Sequence, residues 1–448
     1  MARLGSGPRD VVKAVFLIML LIVLPLTGVI LAGKPIDQYL EFPPHTRYVE
    51  HPPFSRHTFA ILGLVTALSL GPPIVRVVTS RVTAHGNVGR AKAYPWWGVV
   101  GGALTAVSWW LAWTRFDWFT SYQASTFTPL WLGYILFVNA WTYTRTGGCM
   151  MLGQPRMFLW LFPVSAVFWW SFEYLNRFVQ NWYYVGAQTL TSWDYFMQAT
   201  VPFSTVLPAV LSTRELLSTF PRLSAGMDRL PAFHVRHLHM AGWGVFILAC
   251  AGLMSLGIWP NYAYPLVWLA PLALITSLQM VTGEETIFSA TPRGDWRSLW
   301  WAALAGVVCG ICWELWNYKS LAHWEYAIPF VHEYKIFEMP ILGYAGYLPF
   351  GLECLAVTKF LFPDHDRERM TPMTDSSSHV NDQRVTDAGS AMSASVSRGG
   401  VLFQRMSLSG QLEREFLAFG LKRFLVRFKR DVTGWVVARY LDSALSWH

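Results

Sequence analysis

Charge is what this chain has least of. Asp, Glu, Lys and Arg make up only 14% of its 448 residues, against about 25% in an average soluble domain. That scarcity excludes an ordinary water-soluble globular protein. Cysteine is scarce too. Cys149, Cys250, Cys309, Cys312 and Cys354 do not form the framework of a disulfide-stapled secreted domain. Cys309 and Cys312 make one C-x-x-C inside an apolar run. A quinone-coupled thiol site has that form, but no second close pair follows to relay electrons, and packing of small residues in a helix is the reading taken. No compact metal motif such as His-Glu-x-x-His occurs, and no transporter, channel or respiratory-subunit signature is visible.

What fills the space instead is apolar: 53% of the chain is hydrophobic. These residues fall into ten runs, at 11–33, 57–79, 95–114, 127–146, 157–177, 194–213, 239–259, 263–283, 298–318 and 336–362. Each is near the roughly 20 residues needed to cross a bilayer. The expected fold class is an all-α integral membrane protein with about ten transmembrane helices. The first run follows Arg3, Arg9 and Lys13 but is long and lacks a clean Ala-x-Ala site, so it reads as an uncleaved anchor.

Basic residues set the expected orientation. Arg81, Arg90 and Lys92, then Arg145 and Arg156, then Arg214, Arg222, Arg229 and Arg236, then Arg293 and Arg297 occupy alternate links. Lys34, Arg47 and Arg56 in the first outer link are the main exception. By the positive-inside rule both termini lie in the cytoplasm, in a bacterial inner membrane. The net charge of +8 is then mostly a topology signal, and no nucleic-acid partner is inferred from it.

The chain also repeats itself. Trp97-Gly98-Val99, Ala103 and Trp113 match Trp243-Gly244-Val245, Ala249 and Trp259 at one offset. Pro129-Leu130, Leu136 and Thr146-Gly147 match Pro265-Leu266, Leu272 and Thr282-Gly283 at a second. Arg156, Trp160, Val167, Glu173, Asn176, Phe196, Leu207, Pro208 and Leu211 match Arg297, Trp301, Val308, Glu314, Asn317, Phe337, Leu348, Pro349 and Leu352 at a third. Four spans per copy keep the two copies in one orientation, which predicts two parallel four-helix repeats about a pseudo-twofold axis along the membrane normal. The expected organisation is a two-span extension with an outer link at 1–94, repeat 1 at 95–238, repeat 2 at 239–363, a disordered cytoplasmic linker at 364–400 and a basic C-terminal segment at 401–448. In that segment Leu417, Leu421, Phe424, Leu425, Phe428, Val432, Trp435 and Val436 recur at helical spacing among Lys422, Arg423, Arg427, Lys429 and Arg430. An amphipathic helix of this kind lies on an anionic leaflet or docks on the protein's own cytoplasmic loops.

The polar residues inside this apolar frame are the candidate site. Glu173 and Asn176 close one run, and Glu314 and Asn317 close its repeat. At i, i+3 each pair shares a helix face, and an ionisable group inside a membrane helix usually faces protein or a watery cavity. Asp194, Trp313, Trp324, Glu325 and Glu338 gather toward the same expected outer side, with His45, His51, His57, His323 and His332 in the outer links. Glu353 lies about 22 Å deeper along a Pro- and Gly-broken helix, where repeat 1 has Ser212. Three readings compete. The carboxyls can do acid–base chemistry, with Trp and Tyr faces stabilising a developing cation. The histidines with nearby Glu can hold a metal. Or Glu and Asn simply hydrogen-bond between helices beneath a polar cap. No cofactor is predicted, no metal is assigned, and oligomeric state is not legible.

Glu314, Trp324-Glu325-Tyr326 and Pro349-Phe350-Gly351-Leu352-Glu353 follow one another in an order that resembles the membrane-embedded, repeated-domain lycopene cyclases. That family has a carboxylate in one helix, a Trp-x-Tyr link, and a Pro-x-Glu-Glu helix. The resemblance covers about 40 residues of one repeat. Here the Pro-to-Glu spacing differs, the paired Glu is missing, and repeat 1 has no acid at that point. What the resemblance implies is carboxyl-driven chemistry on a polyene or isoprenoid. The leading expectation is therefore an enzyme acting on a lipid or isoprenoid, with Glu173 and Glu314 as acid and base oriented by Asn176 and Asn317. The alternatives are a proton-coupled transporter of a lipophilic or anionic solute using Glu338 and Glu353, and a non-catalytic assembly subunit. Expected partners are membrane lipid and a small lipophilic ligand.

Overall fold

A chain this apolar can leave water only if its backbone satisfies itself, and helices do so within one segment. The computed structural model describes residues 8–44, 46–81, 92–186 and 190–363. The expected linker and basic C-terminal segment lie outside the described residues, as does His45. Among the described residues eleven α-helices longer than two turns follow in order: α1 (Pro8–Leu31), α2 (Arg56–Thr79), α3 (Trp96–Trp113), α4 (Phe127–Thr146), α5 (Pro155–Val179), α6 (Ser192–Phe203), α7 (Val206–Ser218), α8 (Leu238–Ile258), α9 (Leu266–Thr282), α10 (Arg297–Asn317) and α11 (Tyr347–Leu361). Among the described residues six stretches are long and apolar enough to cross a membrane: α1, α2, α5, α8, α10 and Ile341–Leu361. The chain is a multi-pass, mostly helical membrane protein.

The runs expected at 95–114, 127–146, 194–213 and 263–283 are helical too, but the third is interrupted. Ser204 and Thr205 separate α6 from α7. The run expected to begin at 336 also starts differently. Residues Lys335–Ile336 (β3) and Met339–Pro340 (β4) form a small hairpin, turned at Phe337 and Glu338 with Phe337 at φ 56°. A 3-10 segment, Ile341–Gly346, then leads into α11.

Helix pairing follows a recurring scheme. α3 packs on α4 as α8 packs on α9; α4 packs on α7 as α9 packs on α11; α5 packs on α7 as α10 packs on α11. Backbones of α10 and α11 approach so closely that a Cβ at Gly306 would sit 2.2 Å from the Tyr347 carbonyl oxygen. Glycine there is a condition of the packing. α1 lies against α8, and α2 is peripheral, with Leu64, Leu68 and Ile74 exposed as on a lipid-facing helix.

Two strands join the halves. β1 (Trp182–Val185) follows α5 and β2 (His323–Tyr326) follows α10. They pair antiparallel, with Trp182 opposite Tyr326, Tyr183 opposite Glu325 and Tyr184 opposite Trp324. Two of its four pairs are Trp–Tyr in opposite senses, Tyr183–Glu325 lies between them, and Val185 faces His323.

Candidate functional site

The ladder hangs from the two asparagines. Asn176 donates from Nδ2 to the Trp182 carbonyl (2.8 Å) and accepts from the Asn181 and Trp182 amides at Oδ1 (2.8 and 3.4 Å). Asn317 donates to the Trp324 carbonyl (2.7 Å) and accepts from the Trp324 amide (2.8 Å). Both are buried. They were expected to orient the carboxyls, but their hydrogen bonds go to the strands. They fix the Trp-x-Tyr segments that in turn address the carboxyls.

Glu173 and Glu314 are fully buried at 0% exposure, so the groups around them decide their chemistry. Glu173 Oε1 accepts from Trp169 Nε1 (3.0 Å), Trp182 Nε1 (3.1 Å) and the Tyr184 hydroxyl (2.6 Å). Glu314 Oε1 accepts from the hydroxyls of Tyr326 (2.6 Å) and Tyr347 (2.7 Å). Trp324 Nε1 donates to the Tyr326 oxygen at 2.8 Å. The second oxygen of each carboxyl, Oε2, has no hydrogen-bond partner. Burial, then the adjacent carboxyl, pushes the phenols of Tyr184 and Tyr326 well above their ordinary range. They stay protonated and serve as donors.

The two clusters flank one cavity of about 170 Å³. Its wall is aromatic: Trp169, Trp182, Tyr184, Trp268, Trp313, Trp324, Tyr326 and Tyr347 all face it, with Phe127, Tyr195 and Phe203. Trp169 of one half meets Trp313 of the other at 6.3 Å between ring centroids. Helix α6 closes one side through Gln198, Ala199 and Pro202, and Gly343 and Gly346 of the 3-10 segment close another. At the mouth His323 lines the wall and its Nε2 lies 3.4 Å from Glu325 Oε1. Tyr183 donates to Glu325 Oε2 at 2.5 Å, and this bond holds the Glu325 carboxyl below the usual carboxylate range.

The other expected site residues fall as follows. Trp313 and Trp324 line the cavity. Glu325 sits behind His323 in the ladder. Glu338 is half-buried in the hairpin turn. Asp194 is exposed in the first turn of α6; Thr191 caps that helix, its hydroxyl accepting from the Asp194 amide (3.2 Å) and donating to the Asp194 carboxylate (2.6 Å). Glu353 is buried in α11 away from the cavity wall, and neither of its oxygens makes a regular hydrogen bond. Its counterpart Ser212 instead accepts from Asn139 Nδ2 at 2.8 Å. His51 bonds Asn261 and the Gln180 carbonyl, His57 is exposed, and His332 packs on Phe54. Among the described residues no three His, Cys, Asp or Glu side chains are grouped to hold a metal. Cys309 lies 3.4 Å from the Thr213 hydroxyl, and both cysteines of the C-x-x-C are free thiols.

Residues that sequence reading missed include Trp182, Tyr184 and Tyr347. A signal for two of them was present. Each Glu-x-x-Asn is followed by a Trp-x-Tyr, at Trp182-Tyr183-Tyr184 and Trp324-Glu325-Tyr326, with one extra residue in the second connection. No model of a known protein family matches the chain, and no curated protein or solved structure resembles it significantly.

Proposed function

We propose that this chain is a ten-span enzyme of a bacterial inner membrane, built from two parallel four-helix repeats, that carries out proton transfer on an unsaturated lipid or isoprenoid. Both termini lie in the cytoplasm, and the cavity lies toward the outer face. The recurring helix pairs, the two mirrored Trp–Tyr pairs of the ladder and the alternation of basic links support that arrangement. The observation that carries the function is the pair of buried carboxyls, each connected through a tyrosine hydroxyl to the wall of the same cavity.

Neither carboxyl faces the cavity directly, so protons pass through the phenols. One side delivers a proton to a carbon of a C=C bond. The other removes a proton from a neighbouring carbon. The double bond moves, or a ring closes, with no change in atoms or electrons overall. General acid–base help of this kind contributes roughly 10²–10⁴-fold. Engineered cavities of about 150 Å³ hold a benzene-sized molecule, so the space suits the reacting end of a chain and not a whole lipid.

A second reading, proton-coupled transport, draws on one observation: Glu353 is buried without a regular hydrogen bond partway along α11. It requires a water path reaching both faces in turn. The test that separates these readings is mass spectrometry, with an absorption spectrum, of small molecules co-purifying with wild type and with Glu173→Gln/Glu314→Gln. A polyene or other unsaturated lipid that accumulates or changes in the double variant is expected. Bulk membrane lipid alone in both would move the assignment to transport or to an assembly role.

A further inference from the structure

The described wall of the cavity offers no positive charge. Two carboxyls are buried immediately behind its wall, yet no Lys or Arg is among the described residues that line it. None of the hydrogen bonds found on either carboxyl comes from a cationic side chain; all are from Tyr and Trp. Arg177, one turn beyond Glu173, directs its guanidinium away, to the carbonyls of Glu41 and Pro43 in the outer link. A buried carboxylate is normally paired, and here one oxygen of each has no partner at all. The wall itself adds to the same field. Indole and phenol faces are negative at their centres, and a cage of them attracts a cation, more strongly once the cation is desolvated.

We infer that the cavity binds a compact, alkyl-substituted cation: an onium head group, or the positive charge that forms when an alkene takes up a proton. This rests on the proposed site but not on the identity of the substrate chain. Trp169, Trp182, Trp268 and Trp313 supply the faces, and whichever of Glu173 and Glu314 is without its proton supplies the balancing charge. Stacking holds those faces in place. Trp268 lies against Trp182 at 5.8 Å and 26°, and Trp313 lies against Tyr347 at 6.0 Å and 27°.

The experiment is a titration of the purified full-length protein, followed by calorimetry and tryptophan fluorescence, with choline and with 3,3-dimethylbutan-1-ol. The two probes share a shape and differ in charge. Choline is expected to bind at least tenfold tighter, and Glu173→Gln/Glu314→Gln to bring the two affinities within threefold of each other. If that variant does not fold, Trp268→Leu is read instead, with choline binding expected to fall at least fivefold. Equal affinities in wild type, or tighter binding of the alcohol, would overturn the inference. Mass spectra of the co-purified ligand separate the two sources, since a permanent onium contains nitrogen and a polyene does not. A polyene that changes in the double variant, without choline preference, leaves the proton-transfer reading standing and removes this one. Choline preference with only bulk lipid in both preparations does the reverse.

Discussion

The two buried carboxyls, Glu173 and Glu314, are satisfied by different routes. In the first half, α5 supplies an indole: Trp169 donates to Glu173, and Val206 at the start of α7 is only a piece of cavity wall. The offset that relates Glu173 to Glu314 also relates Trp169 to Gly310 and Val206 to Tyr347. In the second half, therefore, α10 supplies nothing and α11 supplies a phenol. A Cβ at Gly310 would lie 2.2 Å from the Tyr347 ring, so the tyrosine occupies the space that a side chain at 310 would need. An indole N–H only donates, whereas a phenol both donates and accepts. Each carboxyl keeps one strand phenol, Tyr184 or Tyr326, and Glu314 has a second in Tyr347 where Glu173 has an indole, so Glu314 has two proton-passing neighbours and Glu173 one. The donor has moved from one helix to another, and its chemistry has changed with it.

The largest expected effect tests whether both halves matter. Glu173→Gln and Glu314→Gln keep the shape of the side chain, and each is expected to slow turnover by about 10²–10⁴-fold while purified yield stays near wild type. Loss of folding in either would assign that Glu a packing role. Next is the exchange itself. Trp169→Ala is expected to cost about 3–5 kcal/mol, in line with other Trp→Ala truncations. Gly310→Ala is expected to cost about 1–3 kcal/mol through overpacking against Tyr347. Both are read from unfolding in detergent. Gly310→Trp should fold poorly alone and recover when combined with Tyr347→Val, because the pair rebuilds the first half's arrangement in the second. No recovery would mean that the two halves are not interchangeable in this way.

Smaller effects come from single donors. Tyr347→Phe removes one hydrogen bond and is expected to cost about 0.5–1.5 kcal/mol, while cutting turnover more than Trp169→Phe does. The smallest concerns the ladder. Glu325 has a lowered pKa in the folded protein, so its contribution is fully present above the unfolded value of about 4.3 and is lost as pH falls through the lower folded value. Thermal stability should therefore not change on this account between neutral pH and about 5, and Tyr183→Phe should shrink the loss seen below about 4.3. A ladder contribution that disappears above pH 5 would contradict that assignment.

Much of the frame was legible from run length alone, because a membrane leaves a chain few ways to satisfy its backbone. The breaks were not. The run at 194–213 divides at Ser204 and Thr205, and the residues before α11 form a hairpin whose turn places Phe337 at positive φ. A bulky aromatic gives no sequence signal for that conformation. At the site, the Glu-x-x-Asn pairs stood out because they recur at one fixed offset. The Trp-x-Tyr segments recur as well, but the extra residue between Asn317 and Trp324 shifts them out of that offset. Tyr347 was hidden for a different reason. Its counterpart is Val206, and only the closeness of Gly310 to its ring shows why a phenol stands there.

The most direct test of the claim that both carboxyls serve one cavity compares ligand profiles from Glu173→Gln, Glu314→Gln and the double variant, each purified beside wild type. Groups that act as a unit are strongly non-additive. Each single variant should therefore show the same altered lipid as the double, and to nearly the same extent. A wild-type profile from either single variant would contradict the claim and leave only one of the two carboxyls at work.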